Sequence, residues 1–281
     1  MRNEIFNLNN IRIEISFKTF DELRLILSFC QKNNLCKINI PCKNLLKNDF
    51  LLNSIKLSRE EFPNINIIPH FSILHEFRKN KINTQKCLIE FLNDAKHLGC
   101  DEVLVVSGSQ KRSTLDSVSA LLHIKDNPLF NNTNFSIGVA FNPYLPGLLF
   151  DEEIIRLQKK LKSGLVRSIW FQFGTDSTLL ERRIGIISNI MFSAMKYNSK
   201  ISNINLFGSI LIPSKQFLAR FKYRPWKGVL CSTGFLESVD SANYLVAKLL
   251  ETYKRHDIQP IIETNVSRDD QLNSLKLILQ N

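Results

Sequence analysis

Short apolar runs alternate with longer segments of helical period along most of this chain. The first run covers residues 11–17, and behind it residues 20–33 place apolar side chains every three or four positions, the spacing of one helix face. Residues 36–41 form a second run, followed by a polar connection to about residue 63 that reads as irregular. The third run, 65–73, is backed by a helix over 84–98, which Gly99-Cys100 closes in the usual C-terminal manner. In residues 101–108 the centre Val103-Leu104-Val105-Val106 is apolar without alternation, as in a strand covered on both faces. Residues 135–141, 166–173, 204–211 and 259–264 complete a set of eight strands. Helices are expected over 115–123, 151–163 (ending at Gly164), 177–196, 215–222, 238–256 and 270–279, one more before the last strand than strict alternation needs.

Strands that alternate with helices build parallel βα units. Eight such units in 281 residues suit a closed (β/α)8 barrel, a TIM barrel, better than an open doubly wound sheet. No Gly/Ser/Pro linker divides the chain and no short repeat is visible, so residues 1–281 read as a single domain. Barrels of this kind carry their chemistry at the C-terminal ends of the strands. The polar residues at those ends are Glu14, Pro69-His70, Ser107-Gly108-Ser109, Asn142-Pro143-Tyr144, Gln172 with Asp176, and the segment 263–268. Several directly follow an apolar run, where a polar side chain is costly without partners.

Composition adds little to this picture. Hydrophobic residues make up 44% and charged residues 22%, the mixture of a globular chain. The net charge of +11 raises the question of nucleic acid, because clustered Lys and Arg displace counterions from phosphates. Here the basic residues are scattered, the densest groups being Lys159-Lys160 with Lys162 and the stretch 215–227. No nucleic-acid-binding motif accompanies them, so they read as solvated surface. Cys30, Cys36, Cys42, Cys87, Cys100 and Cys231 show neither CxxC nor Cys/His spacing, which predicts free thiols and no metal site. The polar start of the chain and the absence of a long apolar run predict a soluble, cytoplasmic protein with no membrane span. An oligomer is compatible with this reading.

The motifs at the strand ends, taken in order, resemble the methylenetetrahydrofolate reductase family across nearly the whole chain. Ile11-Arg12-Ile13-Glu14-Ile15 resembles the family's opening strand with its catalytic glutamate, and Ile68-Pro69-His70-Phe71 its Pro-His strand. Val103 to Gly108 is similar to the strand before a Gly-Asp pair, and Gly138-Val139-Ala140-Phe141 to the strand before a Tyr-Pro loop. Lys159-Lys160, Gly164 and Phe171-Gln172-Phe173 with Asp176 resemble a helix-Gly-strand segment ending in Gln-x-x-x-Asp. Gly208-Ser209-Ile210-Leu211-Ile212-Pro213 resembles a Pro-Gly-Ile-Leu-Pro strand, and Thr264-Asn265-Val266-Ser267-Arg268 the closing Thr-Leu-Asn-Arg. Departures fall mainly on flavin contacts. Ser109 stands where the family has Asp, Leu145 where it has His, and Ser16-Phe17-Lys18 where it has Pro-Pro.

The resemblance implies reduction of 5,10-methylenetetrahydrofolate to 5-methyltetrahydrofolate with hydride from NADH or NADPH, in the family through FAD. Glu14 would be the catalytic acid, since a carboxyl desolvated among Ile13 and Ile15 is driven toward its protonated form. Gln172, Asp176 and Arg268 would bind the folate. His70, Ser107, Gly108, Ser109, Phe141, Lys160 and Asn265 would hold the cofactor. Competing structural roles stand beside these: an ion pair of Glu14 with Arg12, a helix cap by Asp176, a core histidine at 70, a solvated lysine at 160 and a tight turn at Gly108. The missing flavin contacts also admit a flavin-independent reductase, or a folate-binding barrel without reductase activity.

Overall fold

In the computed structural model, which describes residues 6–42, 48–74, 80–108, 115–131, 133–198, 203–226 and 228–280, the apolar runs become the staves of a cylinder. They are β1 (Arg12–Glu14), β2 (Lys37–Ile40), β3 (Asn66–Ser72) and β4 (Glu102–Val106), then β5 (Ser136–Phe141), β6 (Val166–Phe171), β7 (Asn205–Ile210) and β8 (Ile258–Ile262). Each strand pairs in parallel with the next and β8 returns to β1, closing an eight-stranded barrel in sequence order. The expected (β/α)8 fold is what the chain adopts.

The helices between strands are α1 (Phe20–Lys32), α2 (Asn48–Glu61), α3 (Lys81–His97), α4 (Ser117–Ile124), α5 (Gly147–Leu161) and α6 (Ser177–Tyr197). Three more, α7 (Lys215–Tyr223), α8 (Thr233–Glu237) and α9 (Val239–Arg255), precede β8, and α10 (Asp269–Gln280) follows it. Side chains fix the starts of several: Thr19 Oγ1 accepts from Glu22 N at the head of α1, and Ser238 and Ser214 do the same for α9 and α7. None of the described helices is long and apolar enough to cross a membrane.

Two helices depart from the sequence expectation. The connection read as irregular contains α2, whose inner face buries Leu51 and Ile55 together with Ser54 and Ser58. Each serine donates back into its own helix, Ser54 Oγ to Phe50 O and Ser58 Oγ to Ser54 O, both at 2.7 Å. A hydroxyl satisfied in this way can lie against the barrel, although in the sequence it reads as a break in the apolar stripe. The short α8 also went unexpected.

The main core lies between strands and helices, where Ile11, Ile13 and Ile15 are fully buried beside Leu23, Leu27 and Leu272. A second, smaller cluster fills the barrel interior: Ile68, Leu104, Trp170, Phe207 and Ile261. Trp170 lies flat on Phe207, with 4.0 Å between centroids and 12° between planes. Period-two alternation therefore sends the isoleucines of β1 outward and Arg12 and Glu14 inward. All six cysteines are free thiols, and burial pushes those of Cys30 and Cys100 up to about 12 and about 11.

Candidate active site at the barrel mouth

Above the apolar plug, at the C-terminal ends of the strands, is a cavity of about 250 Å³. Its floor is Leu104, Trp170 and Ile261, and its polar walls are Glu14, His70, Gln172, Ser209 and Glu263. Backbone pairing sets the direction of the wall residues that follow the strands. Gln172 N donates to Phe141 O at 2.9 Å and Glu263 N to Ile210 O at 3.0 Å, so both ladders run one residue beyond the strands proper. The register of β1 against β8 aligns Arg12 with Ile261 and Ile13 with Ile262. One further step sets Glu14 beside Glu263, two carboxyl side chains on adjacent staves of one cavity. The Ser209 hydroxyl donates to Glu263 Oε1, and the Ser209 carbonyl accepts from Tyr253 Oη at 3.1 Å.

Below the plug the interior is polar again. Arg12, only 4% exposed, donates from Nε to Asn39 Oδ1 at 2.6 Å, from Nη1 to Asn66 Oδ1 at 2.9 Å and from Nη2 to Ile38 O at 2.9 Å. Burial lowers its pKa to about 10, partly offset by attraction to Glu102. Asn39 Nδ2 in turn meets His70 Nε2 at 2.9 Å, linking this layer to the cavity. Glu102 accepts from Ser168 Oγ at 2.6 Å and from Ser136 Oγ at 3.3 Å, and burial holds its carboxyl above the ordinary value.

The structure thus brings together Glu14, Gln172 and His70 among the residues singled out in the sequence. The others lie elsewhere. Asp176 caps α6, accepting from Leu179 N at 2.8 Å. Lys160 is neither a solvated lysine nor part of the cavity: it is 3% exposed behind β5, with Nζ donating to Ala140 O at 2.7 Å and burial lowering its pKa to about 8. Ser107 Oγ donates to Ser117 Oγ and accepts from Ser117 N, pinning the start of α4. Gly108 has φ +91°, and a Cβ there would lie 2.5 Å from Leu74 Cβ, so the turn itself requires glycine. Phe141 packs in the outer core against Phe150 and Phe171. Asn265 lines a separate concavity with Ser16, Lys18 and Ser267, and exposed Arg268 pairs with Asp270 at 3.2 Å. Ser109 lies outside the described residues. Of the described residues that the resemblance assigned to a cofactor, only His70 lines the cavity.

Sequence reasoning placed Glu263 among the polar strand ends without giving it a role, and missed Ser209 and the Arg12–Asn39 pair that supports His70. Glu263 carried a signal, since it follows Pro260-Ile261-Ile262 at the end of a strand just as Glu14 follows Ile13. A larger concavity of about 660 Å³ lies between α5 and α6, lined by Ile154, Ile186, Ile190 and Tyr197 among others. No carboxylate, imidazole or thiol lines it, and it is remote from the strand ends in kind as well as place.

No protein-family model matches the chain, and no characterised protein matches it by sequence. Solved structures do match by shape. A 2,3-dimethylmalate lyase of the PEP mutase/isocitrate lyase superfamily gives a TM-score of 0.55 at 8% identity, over 98% of this chain and 80% of the lyase. The Yersinia pestis dihydropteroate synthase gives 0.52 at 10% identity, over 97% and 93%. An aldo/keto reductase from Klebsiella pneumoniae gives 0.50 at 10% identity, over 96% and 85%. A lyase, a synthase and a reductase share the architecture, so the likeness establishes the fold alone.

Proposed function

We propose that this barrel is an oxidoreductase acting on the one-carbon unit of a reduced folate, converting 5,10-methylenetetrahydrofolate to 5-methyltetrahydrofolate with NADH or NADPH as hydride donor. The observation that carries the reading is the meeting of Glu14 and Gln172 in one cavity, from β1 and the end of β6, three staves apart around the barrel. The order of strand-end motifs supports it.

The chemistry divides into two steps. The bridge between N5 and N10 opens when the C–N10 bond breaks, N10 takes a proton and an N5 iminium cation is left. Hydride then adds to the exocyclic carbon, giving the N5-methyl group and oxidised nicotinamide. Glu14 is the proton donor in this scheme, its side chain lining the cavity while Ile13 and Ile15 pack on the outer face of the strand. Gln172 offers a donor and an acceptor together, which matches the amide-like edge of a pterin. Trp170 supplies a flat apolar floor. The cavity is smaller than the ~300–1,000 Å³ usual for whole small-molecule ligands. It suits a bicyclic head, with the rest of the folate lying toward the rim.

The family's flavin is not assigned here, because Ser107, Gly108, Phe141 and Lys160, four of the residues expected to hold it, are engaged in capping, turn and core contacts. Direct transfer from nicotinamide is the form favoured. The alternative, a folate-binding barrel without reductase activity, draws on the same departures. Purified protein is assayed for methylenetetrahydrofolate-dependent oxidation of NADH and NADPH, with its absorption spectrum recorded first. The reading expects turnover that Glu14→Gln reduces by ~10²–10⁴-fold, the usual contribution of a general acid. Folate binding without turnover selects the alternative. Neither binding nor turnover overturns both.

A further inference from the structure

His70 Nε2 lies 2.9 Å from Asn39 Nδ2, and an amide nitrogen can only donate. The direction of that amide is set by its other neighbour. Arg12 Nε donates to Asn39 Oδ1 at 2.6 Å, and a guanidinium has no acceptor to offer. Turning the amide over would face N–H against NH2 and leave buried donors without acceptors. Arg12 cannot swing aside, being tied by Nη1 to Asn66 Oδ1 and by Nη2 to Ile38 O, both at 2.9 Å. With a pKa of about 10 it remains a cation at neutral pH.

We infer that the Arg12–Asn39–His70 chain is a tautomer lock, holding His70 as a neutral imidazole with its proton on Nδ1 and an unprotonated Nε2. His70 is therefore a positioning residue of the cavity and does not supply the proton of any reaction there. The charged groups around it pull in both directions. Glu14 on β1 and Glu263 beyond β8 share the cavity with it and favour an imidazolium, whereas the donor amide and Arg12, which is itself attracted to Glu102, oppose it. The contact bond prevails. Nε2 is taken by the amide, so a carboxylate can address only the Nδ1 side, where the neutral tautomer already presents N–H. Adding the second proton would set two donors against each other in a buried site. Its consequence for catalysis rests on the reductase reading: with His70 neutral, the acid is a carboxyl of the cavity, which that reading assigns to Glu14.

The test is read on the free, ¹⁵N-labelled protein by two-bond ¹H–¹⁵N correlation of the histidine rings, with His70→Gln identifying the signals. The lock expects an unprotonated Nε2, a protonated Nδ1 and a midpoint below the ordinary ~6.5. Asn39→Asp, which replaces the donor by an acceptor, moves the proton to Nε2 and raises the midpoint; Asn39→Leu leaves a mixture of tautomers. A wild-type His70 protonated on Nε2, or titrating at or above ~6.5, overturns the lock, and the wild-type spectrum decides this even if a variant fails to fold. Because no folate or nicotinamide is present, the result is independent of whether the protein turns over.

Discussion

Gly138 on β5 gives up its side-chain position to Trp170 on β6: a Cβ there would lie 2.5 Å from the indole Nε1. The same methyl would be 2.7 Å from Ser168 Oγ and 2.8 Å from Glu102 Oε1. These atoms form one chain, in which Trp170 Nε1 donates to Ser168 Oγ at 2.6 Å and Ser168 Oγ donates to Glu102. The indole cannot withdraw, because its face is covered by Phe207. Gly138→Ala should therefore destabilise the barrel by ~1–3 kcal/mol, the usual cost of overpacking a filled core. Urea unfolding checks this, and an unchanged midpoint would mean that the ring shifts without cost.

The carboxyl at the end of that chain makes stability depend on pH. Burial raises the pKa of Glu102, against the opposing effects of Ser168, Arg12, Trp170 and Ser136. A carboxyl with a folded value above its unfolded one binds its proton more tightly in the folded state. Its stabilisation is complete below the unfolded value of ~4.3 and is lost as pH rises through the folded value. Glu102→Gln keeps an acceptor for Ser168 and has no proton to lose. Across that window its urea midpoint should gain steadily on the wild type as pH rises; a constant offset would disprove the assignment.

The architecture was legible because each stave is an apolar run and each covering helix, except α2 and α8, carries a recognisable apolar face. What the sequence hid is polar and interior. Arg12 and Asn39 alternate with isoleucines and read as isolated interruptions, while Glu102 and Glu263 stand at the ends of apolar runs and read as their boundaries. Only closure of the barrel sets Arg12 against Asn66, or Glu102 against Ser168. Lys160 shows the converse. Its neighbours are Lys159 and Lys162, yet the helix turns it inward onto a strand carbonyl. Charge pattern cannot reveal such a contact.

The loop between β5 and α5 is held from outside the barrel. Arg183 on α6 donates from Nη1 to Pro143 O at 2.5 Å and Leu145 O at 2.8 Å, while its guanidinium lies 3.7 Å over the Phe150 ring. Hydrogen bonds from a charged group contribute ~1.5–3 kcal/mol together with their desolvated setting. Arg183→Met should therefore speed amide hydrogen exchange at Asn142, Tyr144 and Leu145 by ~10–100-fold, with α1 and β1 unaffected. Uniform acceleration would instead indicate global destabilisation.

Glu263 tests whether the second carboxyl of the mouth meets ligand. Ser209 donates to its Oε1, and a glutamine presents an acceptor oxygen in the same place, so Glu263→Gln should leave the unfolding midpoint close to wild type. Binding should respond differently. A pterin head displays N–H donors on its pyrimidine edge, and a carboxylate accepts from them with the extra strength of a charged group. Losing that charge costs ~1.5–3 kcal/mol, or ~10–100-fold in folate affinity measured by calorimetry. Ser209→Ala removes only the hydroxyl that steadies the carboxylate, so its effect should be smaller and of the same sign. If Glu263→Gln binds folate as tightly as wild type, the Glu263 carboxylate makes no contact with the ligand, and recognition rests on Gln172 and Glu14.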